Sequence, residues 1–371
     1  MAGPHRHPRL EPRKPITLTA ILQTAIDAYR QEFFRELLRR DKNGIAVYTG
    51  EVYFNSSVRT RVTIPYNSVP NVFMIGRRLL WQRRVVMRLL SEDLVVLEAN
   101  PRILSSWVLA LLRKIMGRPT IGWAHLHSRR FQKEKVPSFR ALMFRLLDGC
   151  IAYTEREAEG FRTLLPQKPI FIAPNSLYRT DSLKFDEGSI RNQLVYVGRL
   201  SEDKGPILAI QAFLAAASNL PDDVSMSLVG EGPQAAEIAE RYQSEIAAGK
   251  LILRGQVSGV DEIAREYAHS FAAISADFVG LLAIQSAGFG VPLIYPTNSR
   301  LPHAPEVTVL NPSNSYASFA NVASLSHAIV QAFGERQSLA SRGPLISQQI
   351  ARTHSVEVMV TGFERALRNE Y

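Results

Sequence analysis

Cysteine is almost absent: Cys150 is the single one among 371 residues. That excludes a disulfide framework within the chain and suits a reducing, cytoplasmic setting. Cys150 follows LLDG and precedes IAY, with no evident activating partner, so it reads as buried packing and not as a nucleophile. Long apolar runs are also missing. Stretches such as Trp107–Leu112 fall far short of the roughly 20 residues of a membrane-spanning helix. The opening MAGPHRHPRLEPRKP is basic and Pro-rich and lacks the apolar stretch of a secretory signal, so residues 1–15 are expected to be a mobile basic tail. No Asp-x-Asp occurs, which leaves no carboxylate pair of that spacing for a nucleotide-bound metal. Repeats of fixed period and nucleic-acid-binding modules are absent as well.

Acidic residues are scarce in the first half only. Residues 1–175 hold 29 Lys/Arg against 14 Asp/Glu, whereas residues 176–371 hold 15 against 20, within a total net charge of +10. The halves therefore face different partners, and an anionic surface suits the first. Its basic clusters alternate with apolar residues: RRLLWQRRVVMRLL (77–90), WVLALLRKIMGR (107–118) and RALMFRLL (140–147). Each is expected to form an amphipathic helix, either packed on its own domain or lying on an anionic membrane.

What is plentiful is alternation. ITLTAIL (16–22), GIAVYTG (44–50), DLVVLEA (93–99), PTIGWAH (119–125), GCIAYT (149–154) and PIFIAPN (169–175) are strand-like, with helical stretches such as AYRQEFFRELLRR (28–40), 103–116, 138–147 and 155–164 among them. The pattern then restarts. NQLVYVGRL (192–200), VSMSLVGEGP (224–233), KLILRG (250–255), FAAIS (271–275) and PLIYP (292–296) alternate with helices at 205–220, 234–249, 260–268 and 280–288. Final helices are expected at 319–334 and 356–369. This is α/β, with two Rossmann-like doubly wound units split near 176–190. The division expected is an N-terminal domain over 16–178, a C-terminal domain over 190–350, and a last segment, 351–371, crossing back to the first. Ligands of such sheets bind beyond the C-terminal strand ends, here the cleft between the units.

The chemistry-bearing residues stand just after strands. Gly198-Arg199-Leu200 ends one strand and Lys204-Gly205 opens the next helix; two cations and a helix start suit a diphosphate. Gly230-Glu231-Gly232-Pro233 is a glycine-rich turn that permits close approach of a ligand to backbone. The turn from Ser275 to Leu281 leads into a helix whose first amides, at Gly280, Leu281 and Leu282, offer a second anion site.

In that order, GRL…KG, GEGP and SADFVGLLAIQSAGFGVP resemble the C-terminal lobe of glycosyltransferase family 4, enzymes of the GT-B fold. The resemblance covers about residues 192–315, and extends more loosely to AYRQEFF, GWAHLHSRR, IAYTE and IAPNS. It implies that Arg199 and Lys204 hold the donor diphosphate. Gly280, Leu281 and Leu282 would supply amides to phosphate and sugar, beside Gly198, Gly230 and Glu231. Asp277 and Gln285 match the two glutamates of the E-x7-E motif, which face the donor sugar and the ribose. His125 matches the N-lobe histidine near the reacting sugar, with His127 two residues on. Glu306, in HAPE, matches a turn before the final elements.

The motif is altered at both acidic positions. Asp keeps the charge but is one methylene shorter; Gln keeps the length and can still accept a hydrogen bond. The form VGLLAIQS also resembles a branch of bacterial surface-polysaccharide transferases with the pair changed. In the N-lobe the usual glycine-rich loop after the first strand is missing, and QTAIDAYR stands there. The resemblance therefore implies a retaining, metal-independent, hexosyltransferase-like enzyme without a cofactor. It would move sugar from a nucleotide-sugar to a saccharide acceptor, lipid-diphosphate-linked, in envelope polysaccharide or lipopolysaccharide synthesis, peripheral on the inner face of the cell membrane. No nucleic-acid partner is expected. A nucleotide-sugar epimerase and a non-catalytic nucleotide-sugar-binding protein of the same fold are the alternatives.

Overall fold

The computed structural model describes residues 18–41, 44–54, 58–127, 136–257 and 259–368. The basic tail, Ser128–Arg130 of GWAHLHSRR and residue 369 of the last helix lie outside the described residues.

Two parallel sheets form two lobes. The N-terminal sheet contains β1 (Thr19–Gln23), β2 (Ile45–Thr49), β3 (Asn67–Ser68), β6 (Leu94–Glu98), β7 (Thr120–Trp123), β8 (Gly149–Ala152) and β9 (Ile170–Ile172). Its order is β3-β2-β1-β6-β7-β8-β9. A hairpin of β4 (Asn71–Met74) and β5 (Leu79–Gln82) is inserted beside it. The C-terminal sheet contains β10 (Gln193–Val197), β11 (Ser225–Val229), β12 (Leu251–Gly255), β13 (Ser270–Ile274), β14 (Leu293–Pro296) and β15 (Ser315–Ser318). It runs β12-β11-β10-β13-β14-β15, the doubly wound order.

The helices are α1 (Gln31–Arg40), α2 (Val85–Leu89), α3 (Leu104–Ile115), α4 (Ser138–Leu146) and α5 (Glu155–Leu164) in the first lobe. Those that follow are α6 (Pro206–Ala216), α7 (Ala235–Arg241), α8 (Gln243–Ala247), α9 (Val260–Ala268), α10 (Leu282–Gly288), α11 (Val322–Gly334), α12 (Leu339–His354) and α13 (Val356–Arg368). Both faces of each sheet are buried, which is why the central strands are continuous runs of Val, Ile, Leu and Ala. The α13 residues Val356, Met359, Val360 and Phe363 join the core of the N-terminal lobe. Phe363 meets Phe33 and Trp123 edge-on, with ring centroids 5.2 and 5.0 Å apart.

Three elements differ from the sequence expectation. Residues 77–90 do not form one helix: 79–82 pair with 71–74 as a strand, and only Val85–Leu89 is helical. Arg77 and Arg84 have φ of +61° and +62°, in the left-handed region that ends regular helix. The stretch 234–249 divides into α7 and α8 at Tyr242, whose φ is −115°. Residues 339–354, not anticipated as helix, form α12 despite an internal Pro344. Gly343 admits the Phe185 ring there, which a Cβ would approach to 2.3 Å.

Candidate active site

The C-terminal strand order reverses between β10 and β13, so the loops after these strands flank the crevice where doubly wound sheets take ligands. In the first loop, the Gly198 N–H donates to the Val229 carbonyl (2.9 Å) and the Leu200 N–H to the Glu231 carbonyl (2.9 Å). A Cβ on Gly230, whose φ is +143°, would stand 1.9 Å from the Gly198 carbonyl oxygen. One on Gly232 would stand 2.3 Å from that of Leu200. These glycines therefore serve the close passage of one turn over another. From the sequence alone the same glycines suggest close approach of a ligand.

Arg199 pairs with Asp203 (3.4 Å), both side chains about half-exposed. Lys204 donates from Nζ to the Phe278 carbonyl (3.3 Å) and lies 4.3 Å from the Phe278 ring centroid. Gly205 is left-handed (φ +64°) and lies against Ala276. The structure thus joins Lys204 to the Ser275–Leu282 turn and places Arg199 on the same loop. Gly280, Leu281 and Leu282 are partly exposed where α10 begins.

Asp277 is buried, and Arg300 takes both its oxygens: the Arg300 N–H donates to Oδ1 (2.9 Å) and Nε to Oδ2 (2.7 Å). Arg300 also donates to the Glu202 carboxylate (2.9 Å) and carbonyl (2.8 Å). One guanidinium therefore ties three loops together, and the carboxylate expected to face the sugar is turned toward it. His303 accepts the Val279 N–H at Nδ1 (3.1 Å) and donates from Nε2 to the Pro296 carbonyl (2.7 Å). A carbonyl only accepts, which fixes the tautomer. Burial lowers the His303 pKa and keeps the ring neutral. Val279, the residue before Gly280, is held in place by these contacts.

Gln285 is likewise engaged. Its Nε2 donates to the Tyr178 hydroxyl (2.6 Å), and its Oε1 accepts from Tyr267 (3.3 Å). Tyr267 is fully buried and stacks on Phe289 at 5.0 Å. The oxygen that the resemblance gives to ribose thus already has a donor.

On the N-lobe side, His125 Nδ1 lies 3.0 Å from Glu157 Oε1, which also accepts the Leu126 N–H (3.2 Å). The His125 ring lies tilted against that of Tyr153 (centroids 4.2 Å apart) and is 40% exposed. His127 differs: its Nδ1 is buried with no hydrogen-bond partner among the described residues, and burial lowers its pKa. Arg30, in the segment replacing a glycine-rich loop, stacks 4.5 Å over Trp123. It donates to the Tyr153 hydroxyl (3.1 Å) and to Asn175 Oδ1 (3.1 Å). Asn175 Nδ2 in turn donates to the buried Glu306. His125 is thereby connected to the C-terminal lobe through Tyr153, Arg30, Asn175 and Glu306.

Sequence reasoning missed Arg30, Asn175, Tyr178, Arg300 and His303. Arg300 and His303 stand in TNSRLPHAPE directly after β14, so the rule that site residues follow strands would have found them. Among the described residues, no cluster of His, Cys, Asp or Glu could hold a metal ion. A cavity of about 370 Å³, lined in part by Phe185, Arg191, Asn192 and Asp223, lies at the opposite strand ends and contains none of these side chains.

Residues 191–333 match the family described as glycosyl transferases group 1. No curated protein matches the sequence. Among solved structures, the chain is similar to HepE of Anabaena in complex with UDP, at 12% identity and a TM-score of 0.63 over 95% of this chain and all of that one. It is similar to the lipopolysaccharide outer core galactosyltransferase WaaB, at 13% identity and a TM-score of 0.61 over 95% of this chain and 100% of that one. It is also similar to the pneumococcal O-GlcNAc transferase GtfA with UDP and GlcNAc, at 11% identity and a TM-score of 0.64 over 95% and 99%. The fold is GT-B, two parallel-sheet α/β lobes.

Proposed function

We propose that the chain is a GT-B glycosyltransferase that takes a sugar from a nucleotide-sugar in the C-terminal lobe and places it on a saccharide acceptor, with retention. The observation that carries this is the coincidence of the family match over 191–333 with the loops flanking the β10/β13 switch point. Arg199 and Lys204 meet the charge that develops on the departing diphosphate, and the Gly280–Leu282 amides add theirs. No metal is required by this arrangement. Arg300 acts through Asp277, holding the turn that carries those amides. Gln285 offers its amide to the ribose in exchange for, or beside, Tyr178 and Tyr267. His125 gives Nδ1–H to Glu157 and keeps Nε2 as an acceptor for the reacting sugar.

HepE crystallised with UDP-glucose and the lipopolysaccharide transferase WaaB support a UDP-sugar donor and an envelope saccharide acceptor. The charge of the first half supports a lipid-linked acceptor reached from the cytoplasmic face of the membrane. No helix among the described residues is long and apolar enough to cross a membrane.

A thermal-shift panel of UDP, GDP, ADP, dTDP and UDP-glucose, without metal, tests the donor site. A rise in melting temperature with one base is expected, by linkage. A flat panel would remove the reading. The internal engagement of Asp277 and Gln285 favours one second reading, a protein that binds nucleotide-sugar without turnover. Binding in that panel with no transfer of labelled sugar to membrane lipid would select it.

A further inference from the structure

We propose that Arg83, Arg84 and Arg88 form a seat for the phosphate of an anionic membrane lipid. They line a cavity of about 300 Å³ with Ser68 and Pro70. Among the described residues no carboxylate lines it, and none of the three guanidinium groups is in an ion pair. The backbone brings them together. The Arg83 N–H donates to the Pro70 carbonyl (3.0 Å), Arg84 adopts a left-handed φ of +62°, and Arg88 follows one turn later. Three cations gathered without an internal anion favour an external one, and the planar fork of Arg matches phosphate oxygens.

The neighbouring helices point to a lipid as the source of that phosphate. Met87, between Arg84 and Arg88, is 84% exposed. The α2 helix packs on α3, which packs on α4. Leu111 and Ile115 on α3, four residues apart, and Phe139 and Leu142 on α4 are exposed as well. A soluble phosphate needs no such apolar side chains, whereas a surface that meets headgroup and acyl boundary together uses both. Buried Arg113 fixes α2 on α3, donating to the carbonyls of Leu89 (2.7 Å), Leu90 (3.2 Å) and Glu92 (2.8 Å).

The proposal rests on the membrane-side acceptor reading of the N-terminal lobe, and nucleotide binding separates the two failures. The full chain is floated with phosphatidylcholine vesicles with and without phosphatidylglycerol. Binding only with phosphatidylglycerol is expected, weakened about 100-fold in Arg83→Ala/Arg84→Gly/Arg88→Ala. The charge-matched control Arg241→Ala/Arg265→Ala/Arg352→Ala in the other lobe should bind nearly as wild type. A retained nucleotide-induced thermal shift in both variants shows that the fold and the donor site are intact. Equal loss in the two variants, no binding by wild type, or binding that ignores phosphatidylglycerol would each overturn the seat. Stabilisation by inorganic phosphate without vesicle binding would overturn the lipid as its source.

Discussion

The two lobes share one architecture and differ at their switch points. In the N-terminal sheet the order reverses between β1 and β6, and the crevice there is filled by the chain's own polar side chains. Glu98 accepts the Thr24 N–H (3.0 Å) and the Tyr53 hydroxyl (3.0 Å). Asn71 donates to the Thr24 carbonyl (2.8 Å) and Gln82 to that of Gln23 (3.1 Å). The β4–β5 hairpin, which carries Asn71 and Gln82, is thus a plug. In the C-terminal sheet the same position is built from backbone turns in close passage, with Lys204 and the start of α10 beside them. A doubly wound sheet offers a ligand crevice at each reversal; which one is used depends on what the chain itself puts there.

The sharpest way to break this comparison is Gly230→Ala. The new methyl meets the Gly198 carbonyl at 1.9 Å and demands a φ of +143°. Strain and overpacking together are expected to destabilise by about 3–5 kcal/mol. Thermal unfolding and loss of the nucleotide-induced shift would register it; a variant with an unchanged melting temperature would show that the two turns are not packed as described.

Lys204→Ala comes next. Loss of a charged contact to the departing diphosphate is expected to lower turnover by tens-fold or more, about 2–4 kcal/mol, with the melting temperature little changed. Full activity would move the diphosphate away from this loop. The N-lobe counterpart is Glu98→Ala, which leaves the Tyr53 hydroxyl and the Thr24 amide without their acceptor, at about 1–3 kcal/mol. Stability should fall while nucleotide binding stays. If nucleotide binding fell instead, the plug would be a second site.

This difference also explains what was legible in the sequence. The C-terminal turns announce themselves because a passage of backbone over backbone demands glycine, and the glycines at 230 and 232 stand directly after a strand. The N-lobe side is assembled from Arg30, His125, Tyr153 and Asn175, far apart in sequence and joined to Glu306 of the other lobe, and no local pattern encodes such a chain. Fold class was legible for a similar reason: two-sided burial writes continuous apolar strands. The hairpin was not, because Arg, Leu and Val at 77–90 mimic helical spacing, and only the left-handed residues Arg77 and Arg84 reveal the break. Asp277 and Gln285 could be aligned but not oriented, since their partners Arg300 and Tyr178 lie 23 and 107 residues away.

The lobes are also tied through Glu36, and its titration gives a smaller effect. Hydrogen bonds from Arg39, opposed by burial and joined by Arg40 and Arg179, hold this carboxyl well below the ordinary range. Arg179, in the connection between the lobes, reaches Glu36 (2.9 Å) and also Glu357 at the start of α13 (3.1 Å). A depressed folded pKa stabilises above the unfolded value of about 4.3 and loses that contribution as pH falls. Glu36→Gln should therefore destabilise by about 1–3 kcal/mol at neutral pH, and the gap in melting temperature to wild type should start to narrow below about pH 4 and go on closing as pH falls toward the depressed folded value. A gap that persists in acid would mean that shape, not charge, sets the brace.

Gln285→Glu should have the smallest effect, and it bears directly on the altered motif. A carboxylate at 285 keeps the side-chain length and accepts only. Tyr267 already donates to Oε1, and the Tyr178 hydroxyl, which now accepts from Nε2, can rotate to donate. Both hydroxyls therefore stay satisfied, and the charge at a half-buried position is expected to lower stability by only about 1 kcal/mol. The carboxylate also remains an acceptor for a ribose hydroxyl, so nucleotide binding should be kept or strengthened. A folded variant that no longer binds nucleotide would show that the neutral amide is required, because its Nε2 donor, and not its oxygen, makes the contact that matters.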